Sequence, residues 1–285
     1  MTQRKLPTYE ELSRPLSAWH PKAIYFGLMR FFLKTVGQLS EGVRIGLTHG
    51  FDSGVMLEYV YRNRPAGVTF VGKAIDRIYL NSQGWQGIRE RGQILKGVLK
   101  QTIQTYQSQG ITTQLLDVAC GGGRYDLEVL RDFPANTFTA TLRDYKVENV
   151  QKAQELAAKL DVRATIEQAD AFSDSDLNRV QPRPNIIVVS GLHEILPDND
   201  LIENHFRQLY RILASQGTLI FTIQPFHPQL ELIARVLNSH THRPWVMRLR
   251  SYELTKTWAN AAGFKDFELQ MDSFGIFGVV RACKE

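Results

Sequence analysis

Three carboxylates and a run of glycines are the residues of this chain whose types and spacing could do chemistry. Asp117 closes the apolar pair Leu115-Leu116 and is followed by Val118-Ala119-Cys120-Gly121-Gly122-Gly123. Three consecutive glycines let the chain bend sharply and bring backbone N–H groups against a ligand with no Cβ in the way. Asp144 follows the apolar run Phe138 to Leu142, where a carboxylate can accept two hydrogen bonds from a ribose diol, or can cap a helix starting near Val147. Asp170, in Gln168-Ala169-Asp170-Ala171-Phe172, suits an adenine amino group, and Phe172 is near enough to stack on the base or merely to pack; a plain loop acid is the other reading. Together the three positions point to a nucleoside ligand. A nicotinamide dinucleotide fits less well, because the sixth position counted from Gly121 is Asp126, an acid expected to repel a diphosphate. No Gly-Lys-Ser or Gly-Lys-Thr follows the glycines, which excludes a Walker loop.

These residues need a scaffold that brings strand ends together. From residue 110 onward, β-rich runs alternate with helical patterns: Gln114–Ala119, Phe138–Arg143, Ala164–Gln168, Asn185–Ser190, Thr218–Ile223, Asp266–Leu269 and Gly275–Val280, with helices expected notably at Glu148–Leu160 and Leu201–Leu213. Alternation of this kind predicts an α/β fold with a mostly parallel sheet covered on both faces. The last two runs are too close for a crossover helix and should pair antiparallel. The front of the chain has a different character, with helical stretches at Ala23–Leu39, Gly42–Thr48, Val55–Arg62 and Gln86–Gln107. The expected organisation is a helical extension over 1–84 and a ligand-binding domain over 85–285.

With 43% hydrophobic and 22% charged residues, the chain belongs with ordinary globular proteins and not with disordered or fibrous ones. Two cysteines, Cys120 and Cys283, exclude a disulfide framework or a cysteine-rich zinc site, and the first residues lack the apolar core of a secretory signal. A cytoplasmic setting follows, with peripheral contact at a membrane as an option. Residues 1–110 carry 15 Lys and Arg against 7 Asp and Glu, whereas 111–285 carry 19 against 22. A basic front of that size could attract nucleic acid, anionic lipid or an acidic partner, or be a solvated surface.

The set of motifs resembles the class I S-adenosylmethionine-dependent methyltransferases. Their acid-x-Gly-x-Gly-x-Gly motif corresponds to Asp117-Val118-Ala119-Cys120-Gly121-Gly122-Gly123, with alanine in place of the first glycine, and their second- and third-strand acids to Asp144 and Asp170. The resemblance implies a Rossmann-like seven-stranded sheet of order 3-2-1-4-5-7-6 and S-adenosyl-L-methionine as cofactor. It also implies that Asp117, Ala119, Gly121 and Gly123 hold the methionine portion, Asp144 and Tyr145 the ribose, and Asp170, Ala171 and Phe172 the adenine. Arg89 is the candidate partner of the cofactor carboxylate and Arg91 the reserve. More narrowly, Gly50-Phe51-Asp52-Ser53-Gly54, Gly84-Trp85-Gln86-Gly87-Ile88-Arg89, Val189-Ser190-Gly191-Leu192-His193-Glu194 and Gln224-Pro225-Phe226-His227-Pro228 are similar to bacterial methyltransferases sometimes joined to an α/β-hydrolase domain. No Gly-x-Ser-x-Gly elbow of such a hydrolase occurs in this sequence.

Methyl transfer from a sulfonium needs acceptor, methyl carbon and sulfur held in line, so few side chains need be catalytic. The fourth strand should deliver Ser190 to the cofactor and His193 or Glu194 to the acceptor proton; His227, between two prolines, is the other imidazole expected at the cleft. His193, His227, His240 and His242 show no His-x-x-x-His or His-Glu-x-x-His spacing, and no metal site is expected. The N-terminal helices should cover the cleft. Within them, Ile24, Phe26, Leu28, Met29, Phe31, Phe32 and Leu33 beside Arg30 and Lys34 read as a packed helix in preference to a membrane-surface one, because apolar residues fall on more than one face. A small-molecule or lipid-like acceptor is the leading expectation. RNA is the alternative acceptor, although no RNA-binding module is legible, and a noncatalytic cofactor-binding scaffold is a third reading.

Overall fold

Strands form where β-branched and aliphatic residues run without interruption, and here they run far enough to be buried on both faces. In a computed structural model, which describes residues 6–285, seven strands form one sheet among the described residues: β1 (Thr113–Asp117), β2 (Phe138–Asp144), β3 (Thr165–Gln168), β4 (Ile186–Val189), β5 (Thr218–Ile223), β6 (Lys265–Met271) and β7 (Gly278–Cys283). Their order is β3-β2-β1-β4-β5-β7-β6, parallel except for β7, which runs antiparallel to both β5 and β6. Alternate residues of the central strands feed two cores: Leu115, Ile186, Val188 and Ile220 on one face, Leu116, Ile187, Val189, Leu219 and Phe221 on the other. This is the doubly covered arrangement that continuous apolar strands require.

The chain divides into two compact units, one comprising the chain up to Arg89 together with His227–Leu249, the other Glu90–Phe226 together with Arg250–Glu285. The first unit is helical. It holds α1 (Tyr9–Ser13), α2 (Pro21–Lys34), a 3-10 turn (Val36–Leu39), α3 (Glu41–His49), α4 (Gly54–Arg62), α5 (Phe70–Leu80) and the start of α6 (Gln83–Ser108). The second carries the sheet, with α7 (Arg124–Leu130), α8 (Val147–Leu160), α9 (Asp174–Asn178), α10 (Leu192–Ile195) and α11 (Asn199–Ile212). Next in order, α12 (Leu230–Val236) belongs to the helical unit and α13 (Tyr252–Ala262) to the sheet unit.

Several features depart from the expected organisation. The helical unit is not a simple N-terminal extension ending at 84, because it recruits the segment after β5: Leu230, Ile233, Ala234 and Met247 pack with Leu12 in one apolar cluster. The first five residues of the expected extension lie outside the described ones. Helix α5 has no counterpart in the sequence reading, since a charged residue, Asp76, sits on its buried face and hides the periodicity. Asp76 is completely buried and accepts hydrogen bonds from Ser40 Oγ (2.6 Å), the Gly42 N–H (2.7 Å), Tyr59 and the Ala66 N–H (2.9 Å), tying α3, α4 and α5 together. Strand β7 starts three residues later than the apolar run suggests. The carboxylate of Asp272 accepts from the N–H groups of Phe274, Ile276 and Phe277, winding the start of that run into a turn.

The expectation for α2 is corrected. Phe26 alone of its side chains is buried, while Ile24, Tyr25, Leu28, Phe31 and Phe32 are all more than half exposed.

Candidate active site

The carboxyl ends of β1, β2 and β4 meet in the sheet unit. After Asp117 the chain turns through Ala119 to Gly123 and enters α7. Gly121 (φ 56°) and Gly123 (φ 67°) are left-handed, whereas Ala119 and Gly122 are not among the positive-φ positions. This explains the alanine in the motif: at 119 the backbone is one any residue adopts, and a methyl group carries no conformational cost. The two left-handed glycines differ in purpose. A Cβ on Gly123 would press on Leu127, Leu142 and Ala153 at 3.1–3.3 Å, so Gly123 lets α7 pack closely on the sheet and α8. A Cβ on Gly121 would meet no heavy atom within 4 Å. The space above Gly121 is open to a ligand.

Asp144, 8% exposed, lies beside that space. Its Oδ2 accepts from the Gly121 N–H at 3.0 Å, and its Oδ1 from the Lys146 N–H (2.9 Å) and Asn149 Nδ2 (3.0 Å). Asp144 does not cap α8, whose N-cap residue is Lys146 with no side-chain capping bond. The Asp144 carboxylate ties the first turn of α8 to the glycine turn, and with three of roughly four lone-pair sites engaged it retains one acceptor site on Oδ2. Tyr145 follows it, 70% exposed. Asp170 is exposed at the end of β3, with its Oδ1 accepting from the Phe172 N–H (2.9 Å). Ala171 is buried, and the Phe172 ring lies 4.5 Å from that of His205.

Asp117 is buried, and its Oδ1 accepts from the Ala119 N–H at 2.8 Å. Asp126, on the first turn of α7, is completely buried, so it faces the interior beneath the turn and not the ligand side; repulsion of a diphosphate by Asp126 is corrected by this placement. Burial pushes both carboxyls up from the usual carboxylate range, Asp117 further because the Asp126 charge adds to it.

At the end of β4, Gly191 (φ 76°) turns the chain into α10 and donates its N–H to Thr222 Oγ1 (2.8 Å). The buried carboxylate of Glu194 has no hydrogen-bond partner on either oxygen, and the buried Ser190 Oγ has none. Arg91 Nη1 lies 3.8 Å from Glu194 Oε1, and the Arg91 guanidinium also borders Gly191 and the Phe277 ring. Of the two candidate arginines, Arg91 is the one at the strand ends. Arg89 belongs to the helical unit, where its Nη1 donates to the Leu80 carbonyl at 2.9 Å.

His193 sits next to Glu194 yet is engaged elsewhere: its Nε2 lies 2.9 Å from Nδ1 of His205 on α11, and its ring meets that of Phe206 edge-on. His227 is buried in the helical unit, with Nδ1 accepting from the Gln229 N–H (3.1 Å) and Nε2 standing 2.8 Å from where a Cβ on Gly84 would be, so Gly84 is the residue that admits it. Among residues the sequence did not single out, Arg250 stands out. Its buried guanidinium donates to the carbonyls of His193 (2.6 Å) and Leu196 (2.7 Å) and to Asn199 Oδ1 (2.9 Å), fixing α10 behind Glu194. No local motif marks it, because those partners lie more than 50 residues away in sequence.

The buried imidazoles give a pH test of this packing. Burial lowers His205 to about 4 and holds His193 well below its usual value. The unfolded chain takes up a proton near pH ~6.5, whereas folded His205 resists it down to about 4. Stability from His205 is thus present above pH ~6.5 and is lost as the pH falls toward about 4, by up to ~1.4 kcal/mol per unit. The raised Asp117 and Asp126 act with the opposite sign, so the measurement is a difference. In urea unfolding between mildly acidic and neutral pH, His205→Gln should show a slope of ΔG with pH shallower than wild type by about 1 kcal/mol per unit. Parallel slopes would contradict the assignment.

The family described as "Putative methyltransferase", Methyltransf_20, matches residues 2–284. The chain belongs to this family. Methyltransf_20 membership and the sheet order together account for the glycine turn and the acids at the strand ends. The Escherichia coli K12 protein YnbC is 41% identical over 273 residues, covering 95% of this chain, and the chain spans only 46% of that longer relative. Among solved structures, a "possible exported protein" of Bordetella parapertussis aligns with a TM-score of 0.64 at 18% identity, covering 92% of this chain and 94% of that one. Magnesium protoporphyrin IX methyltransferase of Synechocystis PCC 6803, solved with bound SAH, aligns with a TM-score of 0.56 at 12% identity, covering 84% and 98%. At such identities these two neighbours share the fold with this Methyltransf_20 member and no more. No helix among its described residues is long and apolar enough to cross a membrane.

Proposed function

We propose that this methyltransferase transfers the methyl group of S-adenosyl-L-methionine to a small-molecule or lipid-like acceptor bound at the end of β4. The observation that supports the acceptor assignment is Glu194: a buried carboxylate 3.8 Å from the Arg91 guanidinium with no hydrogen bond to either oxygen, next in the same strand-end turn to Ser190, whose hydroxyl also has none. Buried polar atoms are rarely left so, and here they await donors from a ligand. The bound cofactor supplies an electrophilic methyl group on a sulfonium, and the chain's own residues do the rest by positioning. The open space above Gly121 fits a ligand lying against the turn, and the remaining acceptor site on Asp144 Oδ2 fits a ribose hydroxyl. In this reading Asp117 and the stretch from Ala119 through Gly121 to Gly123 hold the methionine portion. Arg91 takes over from Arg89 as the partner of its carboxylate, being in the same unit as the turn. Asp144 and Tyr145 hold the ribose, and Asp170, Ala171 and Phe172 the adenine. Ser190 lines the methyl side, and Glu194 accepts the proton of the acceptor hydroxyl or amine as the new bond forms. His193 and Arg250 position Glu194 by fixing α10 at its back, and His227 supports Gly84 in the helical unit.

Transfer of labelled methyl groups into fractionated cell extract tests the acceptor class. Label is expected in the organic-extractable or low-molecular-weight fraction. Label confined to RNA would replace this reading with the nucleic-acid one, and cofactor binding without label in any fraction would leave a noncatalytic protein.

A further inference from the structure

The exposed face of α2 belongs to the helical unit. From Ile24 (57% exposed) through Tyr25 (54%), Leu28 (56%) and Phe31 (61%) to Phe32 (56%), five large apolar side chains face solvent. At 100° per residue these positions fall within an arc of roughly 120°. They form one stripe on the side opposite Phe26, which is buried. Trp19 (89%) precedes the helix and Val36 (49%) follows it. A stripe of this size on a globular surface marks a place of contact.

Its chemistry indicates with what. Between Glu11 and Glu41 the chain has no acidic residue, while it carries Arg14, Lys22, Arg30 and Lys34. Lys22 is spent on Glu231 of α12 at 2.7 Å, which seats the helix on its own unit. Arg30 and Lys34 are exposed, and by the same helical geometry they lie on one flank of the stripe, Lys34 about 60° and Arg30 about 100° beyond its Phe31 edge. Aromatic and aliphatic side chains on one face, exposed cations on its flank and no acid in the segment that carries it are complementary to an anionic bilayer surface: the apolar face enters the boundary between headgroups and acyl chains while the long basic side chains reach lipid phosphates. A protein partner would ask for polar pairing of both signs at the rim, whereas Glu231, the acid that α2 meets, is already paired with Lys22.

We propose that α2 docks the protein on anionic membrane surfaces, lying in the plane of the interface with the stripe from Ile24 to Phe32 inserted. The proposal goes beyond the methyltransferase reading and stands or falls separately from it. The test is sedimentation of the full chain with phosphatidylcholine vesicles with and without about one third phosphatidylglycerol. Wild type should sediment with the anionic vesicles at low salt and be released as salt is raised past roughly half molar. A Leu28→Glu/Phe31→Glu variant should bind at least about tenfold more weakly, and Arg30→Gln/Lys34→Gln about tenfold more weakly on anionic vesicles alone. All four positions are at the surface, so circular dichroism should show unchanged folding, and the salt dependence of wild type provides a readout that needs no variant. Failure of wild type to sediment at low salt would overturn the proposal, as would variants that sediment like wild type. A wild-type dimer in light scattering that Phe31→Glu converts to monomer would also overturn it, by assigning the stripe to a second copy of the chain.

Discussion

An Asp144→Ala variant should bind S-adenosyl-L-methionine about 1–3 kcal/mol more weakly than wild type, roughly 5- to 150-fold in Kd. Two losses add to this figure. One is the acceptor proposed for the ribose, a charge-assisted hydrogen bond. The other is structural: Asp144 Oδ2 holds the Gly121 N–H at 3.0 Å, and Oδ1 holds the start of α8 through Lys146 and Asn149. Without the carboxylate the turn loses the anchor that keeps Gly121 in its left-handed conformation under the ligand. Asp144→Asn separates the two effects. Its amide oxygen can continue to serve Lys146 and Asn149, but its NH2 would oppose the Gly121 N–H and could only donate to the ribose. Calorimetry should therefore place Asn between wild type and Ala, with thermal unfolding close to wild type for Asn and lower for Ala. If both variants bind the cofactor as wild type does, the ligand is not where the turn and Asp144 would hold it.

The parts of this site that were legible in the sequence share one property: their structure is set within a few residues. The strands ending at Asp117 and Asp144 are short β-prone stretches carrying Leu115, Leu116, Phe138, Ala140 and Leu142 toward the core, and the glycines that follow Asp117 report a left-handed turn whatever the rest of the chain does. What was not legible depends on partners far away in sequence. Arg91 and Glu194 are brought within 3.8 Å only when the sheet forms, which is why position before the first strand put Arg89 ahead of Arg91. Arg250 acquires its role from carbonyls 54 and 57 residues upstream. Asp126 looked like a residue facing a phosphate because spacing along the chain does not say which side of a helix turns inward. The same limit applies to α2, whose apolar residues occupy more than one face by sequence, whereas the structure buries Phe26 and leaves the wider stripe uncovered.

Glu194→Gln should cost activity by a factor on the order of a hundred or more, the scale of a general base, while leaving cofactor affinity within about twofold of wild type. The substitution keeps the size of the side chain and removes only the capacity to take a proton. A purely structural role predicts a different pattern. If Glu194 served mainly as the counter-charge of Arg91, its loss would leave a buried cation uncompensated and lower stability by about 3–5 kcal/mol. The geometry argues for the smaller cost: at 3.8 Å the pair is looser than a hydrogen-bonded one, Arg91 also lies over the Phe277 ring, and a glutamine oxygen can still face it. Neither Glu194 oxygen is repaid for its burial by a hydrogen bond, so neutralising the group relieves a desolvation cost that wild type carries. Stability near or above that of wild type, combined with lost methyl transfer and retained cofactor binding, is the signature of a carboxylate kept bare for its substrate. A His193→Gln variant provides the contrast, since its ring is bound to His205 and packed on Phe206: it should be less stable, and its kcat should fall by much less than that of Glu194→Gln.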